Sequence, residues 1–144
     1  MLKETEILNF VRQNVQMGID GIKLIIDDTD DKDFYKELER ELNEYNEVYN
    51  EADSLLEEIG GERSDVNAAI KIATHLSARV KNFNGSTSKI AESMIQGSTM
   101  GVTKLIKHIN EYNGDDRALK IAEKLVKTEE QNIENLKKFL WYCK

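Results

Sequence analysis

Proline is absent from all 144 residues of the chain. Average usage of about 5% would give roughly seven prolines. Because proline removes a backbone donor and clashes with the preceding turn, a chain without it is free to form long helices. The charged fraction is 33% and the aromatic fraction is only 7%, and Glu, Lys, Leu and Ala all favour helix. The sequence therefore predicts a folded, all-α protein.

Four segments carry apolar residues at steps of three and four, the spacing of one helical face. The helices are predicted over about 3–27, 32–59, 88–112 and 116–142. An acidic turn at 27–31 supplies caps for the second helix, Gly60 and Gly61 end it, and Asp115 caps the fourth. The predicted inward positions are Leu8, Val11, Val15, Gly18, Ile22 and Ile25 in the first helix; Leu38, Leu42, Tyr45, Val48, Ala52, Leu55 and Ile59 in the second; Ala91, Met94 or Ile95, Ser98, Val102, Leu105 and Ile109 in the third; and Leu119, Ala122, Leu125, Glu129, Asn132, Leu136 and Phe139 in the fourth.

Four amphipathic helices of about 25 residues bury their stripes most simply as an antiparallel four-helix bundle in a single domain over 1–144. An additional short helix is predicted over 64–81, between helices two and three. Its pattern is also compatible with the first half of a bent third helix, and both alternatives stay open. A long connection between the second and third helices is a feature of ferritin-like folds.

Charge, apolar run length and cysteine count argue against several classes of function. The net charge is −7 and the pI is near 5.0, which disfavours binding to nucleic acid and to anionic membranes. The apolar runs, such as that at 24–26, are too short to span a membrane. Cys143 is the single cysteine, so neither an internal disulfide nor a cysteine-based metal site is expected. With no signal segment at its start, the chain is predicted to be cytoplasmic.

Four stretches together resemble the ferritin-like superfamily, and most closely a small bacterial branch of it. The resemblance covers most of the chain. Residues 17–21 (MGIDG) are similar to the middle of that branch's first helix, and residues 55–62 (LLEEIGGE) to the end of its second. Residues 95–102 (IQGSTMGV) resemble the small-residue centre of its third helix, and residues 129–136 (EEQNIENL) its fourth-helix Glu-Glu-x-His-x-x-x-Leu pattern.

The resemblance implies a di-iron or di-manganese centre, which needs inward Glu residues on two helices and Glu-x-x-His pairs on the other two. Glu129 matches one carboxylate, but Asn132 stands where the histidine is expected. The remaining positions hold residues that are not metal ligands of this class, with Asp20, Glu44 and Glu47 off the stripes: Tyr45 and Val48 in helix two, Ser98 in helix three, and Val15 and Gly18 in helix one. One carboxylate is therefore predicted where four are required, and no metal ligand, cofactor-binding residue or catalytic residue is assigned.

Three alternatives stay open for Glu129 and Asn132: a divergent metal site, a buried polar contact that fixes helix register, or a half-exposed position on the bundle flank. If Glu129, Tyr45 and Ser98 all face inward, Tyr45 or Ser98 is expected to hydrogen-bond Glu129.

The other polar positions are interpreted as structural. The acidic stretch 37–44 is interpreted as solvated helix surface. His75 and His108 lack co-ligands and are read as surface or boundary residues. Glycines 18, 21, 97 and 101 indicate close helix approach or a small cavity.

These observations lead to a non-enzymatic ferritin-like bundle with a structural or interaction role and no competent di-metal centre. It has a protein partner or self-associates, with a homodimer as one form. The alternative is a divergent iron- or manganese-binding protein with oxidase or storage activity, using Glu129 with Glu44, Glu47 or Asp20. A third hypothesis is a bundle that binds a small ligand in a cavity lined by Gly18, Gly97 and Ser98.

Overall fold

The computed structural model describes residues 2–64 and 86–141, and its regular structure is helical. The four long helices are α1 (Glu4–Ile25), α2 (Lys32–Glu58), α3 (Thr87–Glu111) and α4 (Asp116–Lys137). Short 3-10 turns follow α1 at Ile26–Asp28 and α4 at Lys138–Trp141. The four predicted helices are confirmed; the fourth ends earlier than predicted because its last turn tightens to 3-10. The predicted helix at 64–81, His75 and Cys143 lie outside the described residues.

Local sequence signals set the ends of the helices. The side chain of Asp31 accepts a hydrogen bond from the Phe34 N–H (2.9 Å), and that of Asp115 accepts one from the Arg117 N–H (2.7 Å). Gly60 has φ 68°, and its N–H donates to the Glu57 carbonyl while that of Gly61 donates to Leu56. This is a Schellman motif, in which glycine takes the left-handed conformation that other residues avoid. The predicted caps and the predicted glycine stop are confirmed.

The helices pack into one bundle around a shared core. α1 packs mainly on α2 and α3 mainly on α4, while α4 also contacts both α1 and α2. The buried apolar residues come from all four helices and include Phe34, Ile7, Leu8, Ile22, Leu38, Leu56, Leu105, Leu125 and Leu136. No helix among the residues described has the length and apolarity needed to cross a bilayer.

The buried face of α2 differs from the predicted one at several positions: Leu42 and Ile59 are only partly buried, whereas Phe34, Glu41 and Leu56 are buried. Its buried residues follow alternating steps of four and three: Phe34, Leu38, Glu41, Tyr45, Val48, Ala52 and Leu55. Leu42, predicted to face inward, is only partly buried, and Glu41 occupies the core position instead. The interpretation of 37–44 as solvated surface is therefore wrong at this residue.

Candidate functional site

Glu129 and Asn132 lie in the core rather than on the bundle flank. They follow Ala122 and Leu125 at the same alternating steps of three and four, and their exposed fractions are 3% and 0%. The half-exposed interpretation of this pair is wrong. A carboxyl group and an amide are thus held at the middle of the inward face of α4.

A second buried carboxyl group faces the same region from α2. Glu41 is 0% exposed, and no N–H or O–H donor reaches either of its oxygens. Oε1 of Glu129 and Nδ2 of Asn132 also lack hydrogen-bond partners. The prediction that one carboxylate remains inside the bundle is therefore wrong, because there are two. The signal that identifies Glu41 is its place in the strict four–three spacing between Leu38 and Tyr45.

Arg40 bridges α2 and α4 at the edge of this cluster. Its Nη2 atom donates to Oδ1 of Asn132 across a distance of 3.0 Å. The guanidinium also forms close ion pairs with Glu37 and Glu44 on its own helix. The side chain of Glu37 is only 11% exposed, whereas those of Arg40 and Glu44 are 34% and 36% exposed, so one cation at the edge of the cluster serves a largely buried carboxylate and a more exposed one. The amide of Asn132 is therefore used for an interhelical hydrogen bond.

Tyr45 and Ser98 complete the cluster, as the sequence predicts. Tyr45 is 4% exposed and Ser98 is 9% exposed. The ring of Tyr45 lies directly over Gly18 of α1, where an added Cβ atom would stand 2.8 Å from Cε2 of the ring. Gly18 therefore allows the tyrosine to pack against α1 while its hydroxyl acts on Glu129. We name the set Glu37, Arg40, Glu41, Tyr45, Ser98, Glu129 and Asn132 the α2–α4 polar cluster.

Burial perturbs the ionisation of both core carboxyl groups. Desolvation, together with the neighbouring Glu37 carboxyl, raises the pKa of Glu41 to about 10. Desolvation also raises the pKa of Glu129 to about 7, although the nearby hydroxyls of Tyr45 and Ser98 favour its ionised form. For Glu37, burial acts to raise the pKa, but hydrogen bonding with Glu41 and Arg40 lowers it overall. The cluster thus favours one charged and one neutral carboxyl group on α2.

The other carboxylates named for a metal site do not join Glu129. Glu44 pairs with Arg40, Glu47 accepts a hydrogen bond from Lys124 (2.9 Å), and Asp20 accepts one from Gln16 (2.8 Å). Across 2–64 and 86–141, no three His, Cys, Asp or Glu residues are grouped so that they could hold a metal ion. Val15 and Val48 lie in the apolar core.

His108, Gly101 and Gly18 make packing contacts between helices. The ring of His108 stacks on Phe10 of α1 with centroids 3.7 Å apart, and its Nδ1 atom lies 2.7 Å from the Lys104 carbonyl. Gly101 packs against the side chain of Asn14. Gly97 is exposed and faces open space, whereas Gly18 is covered by Tyr45. The structure does not bring Gly97 and Gly18 to one cavity, so the predicted ligand pocket is not formed by these residues.

A comparison of the chain with protein-family models, with curated proteins and with solved structures finds no match.

Proposed function

We propose that this chain is a non-enzymatic, ferritin-like four-helix bundle of the bacterial cytosol, with a structural or interaction role and without a competent di-metal centre. The observation that carries the proposal is the contact of Arg40 with Asn132. At the position where a ferritin-like pattern has a metal-binding histidine, this chain has an amide whose oxygen accepts a hydrogen bond from a cation.

The contacts between helix ends support an antiparallel, ferritin-like order. Residues just after α2 meet the start of α1, because Asn9 Nδ2 donates to the Glu62 carbonyl (2.7 Å). The Leu2 N–H donates to the Glu111 carbonyl at the end of α3 (3.0 Å). Near the start of α3, Ser88 Oγ donates to the Leu140 carbonyl beyond the end of α4 (3.2 Å). Helices α1 and α2, α1 and α3, and α3 and α4 are thus inferred to run in opposite directions.

Helices α2 and α4 are also inferred to run in opposite directions. Arg117, in the first turn of α4, pairs with Glu58 at the end of α2 (3.0 Å), and Lys124 pairs with Glu47 (2.9 Å). The end of α2 and the start of α3 then lie at opposite ends of the bundle. Ferritin-like folds have this arrangement, in which one long crossover joins the second and third helices.

The chemistry of the polar cluster supports the absence of a competent centre. Two hard cations need several convergent carboxylates, with imidazole as the companion ligand for iron. Here the guanidinium of Arg40 competes for Glu37 and Glu44, and it carries a positive charge that repels a metal ion from the same space. The remaining cluster positions hold the two buried carboxyl groups, Glu41 and Glu129, and the uncharged Tyr45, Ser98 and Asn132.

Metal stoichiometry tests the proposal. The protein is refolded with Fe²⁺ or with Mn²⁺, passed through a desalting column and analysed for bound metal by mass spectrometry. We expect no stoichiometric metal and no difference between the wild-type chain and Glu129→Ala. Stoichiometric metal that is lost in Glu129→Ala and retained in a variant of the exposed neighbour, Glu130→Ala, would contradict it.

A divergent metal-binding protein with oxidase or storage activity is the second candidate function. The observation in its favour is that Glu41 and Glu129 are both buried and both have oxygens without hydrogen-bond donors. The ligand set would then be Glu41 and Glu129, rather than Glu129 with Glu44, Glu47 or Asp20. In the stoichiometry experiment, this candidate predicts equal loss of metal from Glu41→Gln and Glu129→Gln.

Exposed apolar side chains support an interaction role. Met100 is 58% exposed on α3, and Trp141 is 85% exposed after α4. Large apolar groups in water are stabilised when a partner or a second copy covers them. If the chain forms a homodimer through Trp141, Trp141→Ser will lower the sedimentation coefficient to that of a monomer. An unchanged coefficient would exclude that surface as the contact.

A further inference from the structure

We propose that the α2–α4 polar cluster is a proton-binding site, in which the carboxyl group of Glu41 holds a proton at neutral pH and donates it in a hydrogen bond to Glu37. In this arrangement a proton and the Arg40 guanidinium supply the positive charge that metal ions supply in a di-metal centre. The inference concerns the same cluster as the proposed function, but it predicts a protonated group rather than the absence of metal.

The first argument is the balance of charge. The carboxyl groups in and beside the cluster are Glu37, Glu41 and Glu44 on α2 and Glu129 on α4. Arg40 is the cation of the cluster and forms ion pairs with Glu37 and Glu44. From α3 the cluster receives the uncharged Ser98, and from α1 it receives Gly18 against the Tyr45 ring. Full ionisation would place three largely buried carboxylates, Glu37, Glu41 and Glu129, near one cation that also pairs with the more exposed Glu44. Isolated charges are too costly to bury, so such groups take up a proton instead.

The second argument is the lack of donors around Glu41. A buried carboxylate is stabilised when it accepts hydrogen bonds, yet no donor reaches either oxygen of Glu41, and the side chain is 0% exposed. The protonated acid changes this situation because it gains an O–H donor. Glu37 lies one helical turn away and is the natural acceptor, since Arg40 keeps it ionised.

The ionisation equilibria agree with this geometry. The pKa of Glu41 is raised to about 10 by burial and by the Glu37 carboxyl, whereas hydrogen bonds with Glu41 and Arg40 hold the pKa of Glu37 below its ordinary value. When two carboxyl groups share a proton, the pKa of one rises and the pKa of the other falls, as observed for Glu41 and Glu37.

Infrared spectroscopy of the metal-free protein tests the proposal directly, because protonated and ionised carboxyl groups have separate C=O stretching bands. The wild-type chain is dialysed against a chelator and recorded in D₂O between pD 5 and 11. The decisive comparison is made at about pD 9, because Glu129, whose pKa is raised to about 7, is ionised there. We expect a protonated-carboxyl band that persists at about pD 9 in the wild type, disappears towards pD 11 and is missing at about pD 9 in Glu41→Gln. Glu39→Gln, which changes an exposed glutamate on the same helix, should retain the band.

The wild-type spectrum decides the matter even if a variant folds poorly. Absence of the band at about pD 9 from the folded wild type overturns the proposal, and so does its persistence at that pD in a folded Glu41→Gln. The same samples with added Mn²⁺ separate this inference from the proposed function. Loss of an existing band on stoichiometric metal binding would contradict the metal-free function while supporting the proton site, whereas no band without metal refutes the proton site alone.

Discussion

At the scale of single residues, Gly18 and Tyr45 show how a missing side chain positions a buried polar group. The Tyr45 ring occupies the space that a side chain at position 18 would need. Its hydroxyl thereby reaches Glu129, and burial raises the pKa of Tyr45 well above its ordinary value. The hydroxyl therefore stays protonated and remains a hydrogen-bond donor.

Gly18→Ala tests this packing, with Gly97→Ala as the matched control. Alanine favours helix over glycine by about 1 kcal/mol, so Gly97→Ala, where nothing lies within 4 Å of the new Cβ, should raise the free energy of unfolding by roughly 0.5–1 kcal/mol. Gly18→Ala should lower it by about 1–3 kcal/mol, because the ring must move. Urea unfolding measures both values. Equal stabilisation by both substitutions would show that Tyr45 does not pack on Gly18.

Glu129 should make the stability of the bundle depend on pH. Its pKa is raised to about 7 in the folded chain from an ordinary value of 4.5. Between these values the folded state holds more protons than the unfolded state, so the free energy of unfolding falls as pH rises. The fall is up to about 1.4 kcal/mol per pH unit.

The comparison of wild type with Glu129→Gln isolates this dependence. Between pH 5 and 7, the wild type should lose stability relative to the variant, because glutamine has no proton to release. Glu130→Gln changes an exposed neighbour and should track the wild type. Urea unfolding at several pH values gives the slopes, and parallel slopes for wild type and Glu129→Gln would refute a perturbed Glu129.

At the scale of elements, α1 and α2 are joined by a buried arginine. The exposed fraction of Arg12 is 4%. Its Nη1 donates to Asn9 (2.9 Å), its Nη2 to the Tyr49 hydroxyl (3.0 Å), and its Nε lies 3.2 Å from Oδ1 of Asp53. Asn9 in turn accepts a hydrogen bond from the Ser64 N–H (3.0 Å). The arginine therefore organises both the helix pair and the chain that leaves α2.

Arg12→Met should lower the free energy of unfolding by about 2–3 kcal/mol, because it leaves several polar partners unsatisfied. Arg117→Met is the control. Arg117 also pairs across helices, but its side chain is 53% exposed, and exposed pairs contribute about 0–1 kcal/mol. Urea unfolding measures the loss of unfolding free energy for each variant, and the loss for Arg12→Met should be the larger. A loss for Arg12→Met no larger than that for Arg117→Met would contradict the assigned role.

The helices were predictable from sequence to within a few residues, because apolar periodicity and caps are local signals. The content of the polar cluster was only partly predictable. Glu129, Asn132, Tyr45 and Ser98 fall on apolar stripes and were placed inward, whereas Glu41 sits beside Leu42, and hydrophobicity favoured the leucine. Arg40 was missed because its partner Asn132 is distant in sequence, and burial of an ion pair depends on tertiary packing that periodicity does not encode.

At the scale of the whole molecule, buried charged groups lie at two places, Arg12 between α1 and α2 and the α2–α4 polar cluster, and other ion pairs lie nearer the surface. In the ion pairs of Arg63, Lys124 and Lys137, the basic side chain is at least 40% exposed. The α2–α4 polar cluster differs from these pairs, because it combines a single cation with two buried carboxyl groups, and no donor reaches either oxygen of Glu41. We infer that this cluster fixes the register of α2 on α4 and takes the place of a pair of metal ions.

Anomalous X-ray diffraction from crystals grown with Mn²⁺ tests that claim most directly, because it locates the metal as well as detecting it. Data collected on both sides of the manganese edge should show no anomalous peak within coordination distance of Glu41 or Glu129, with Arg40 still bonded to Asn132. Two peaks between α2 and α4, bridged by these carboxylates and with Arg40 displaced, would contradict the account.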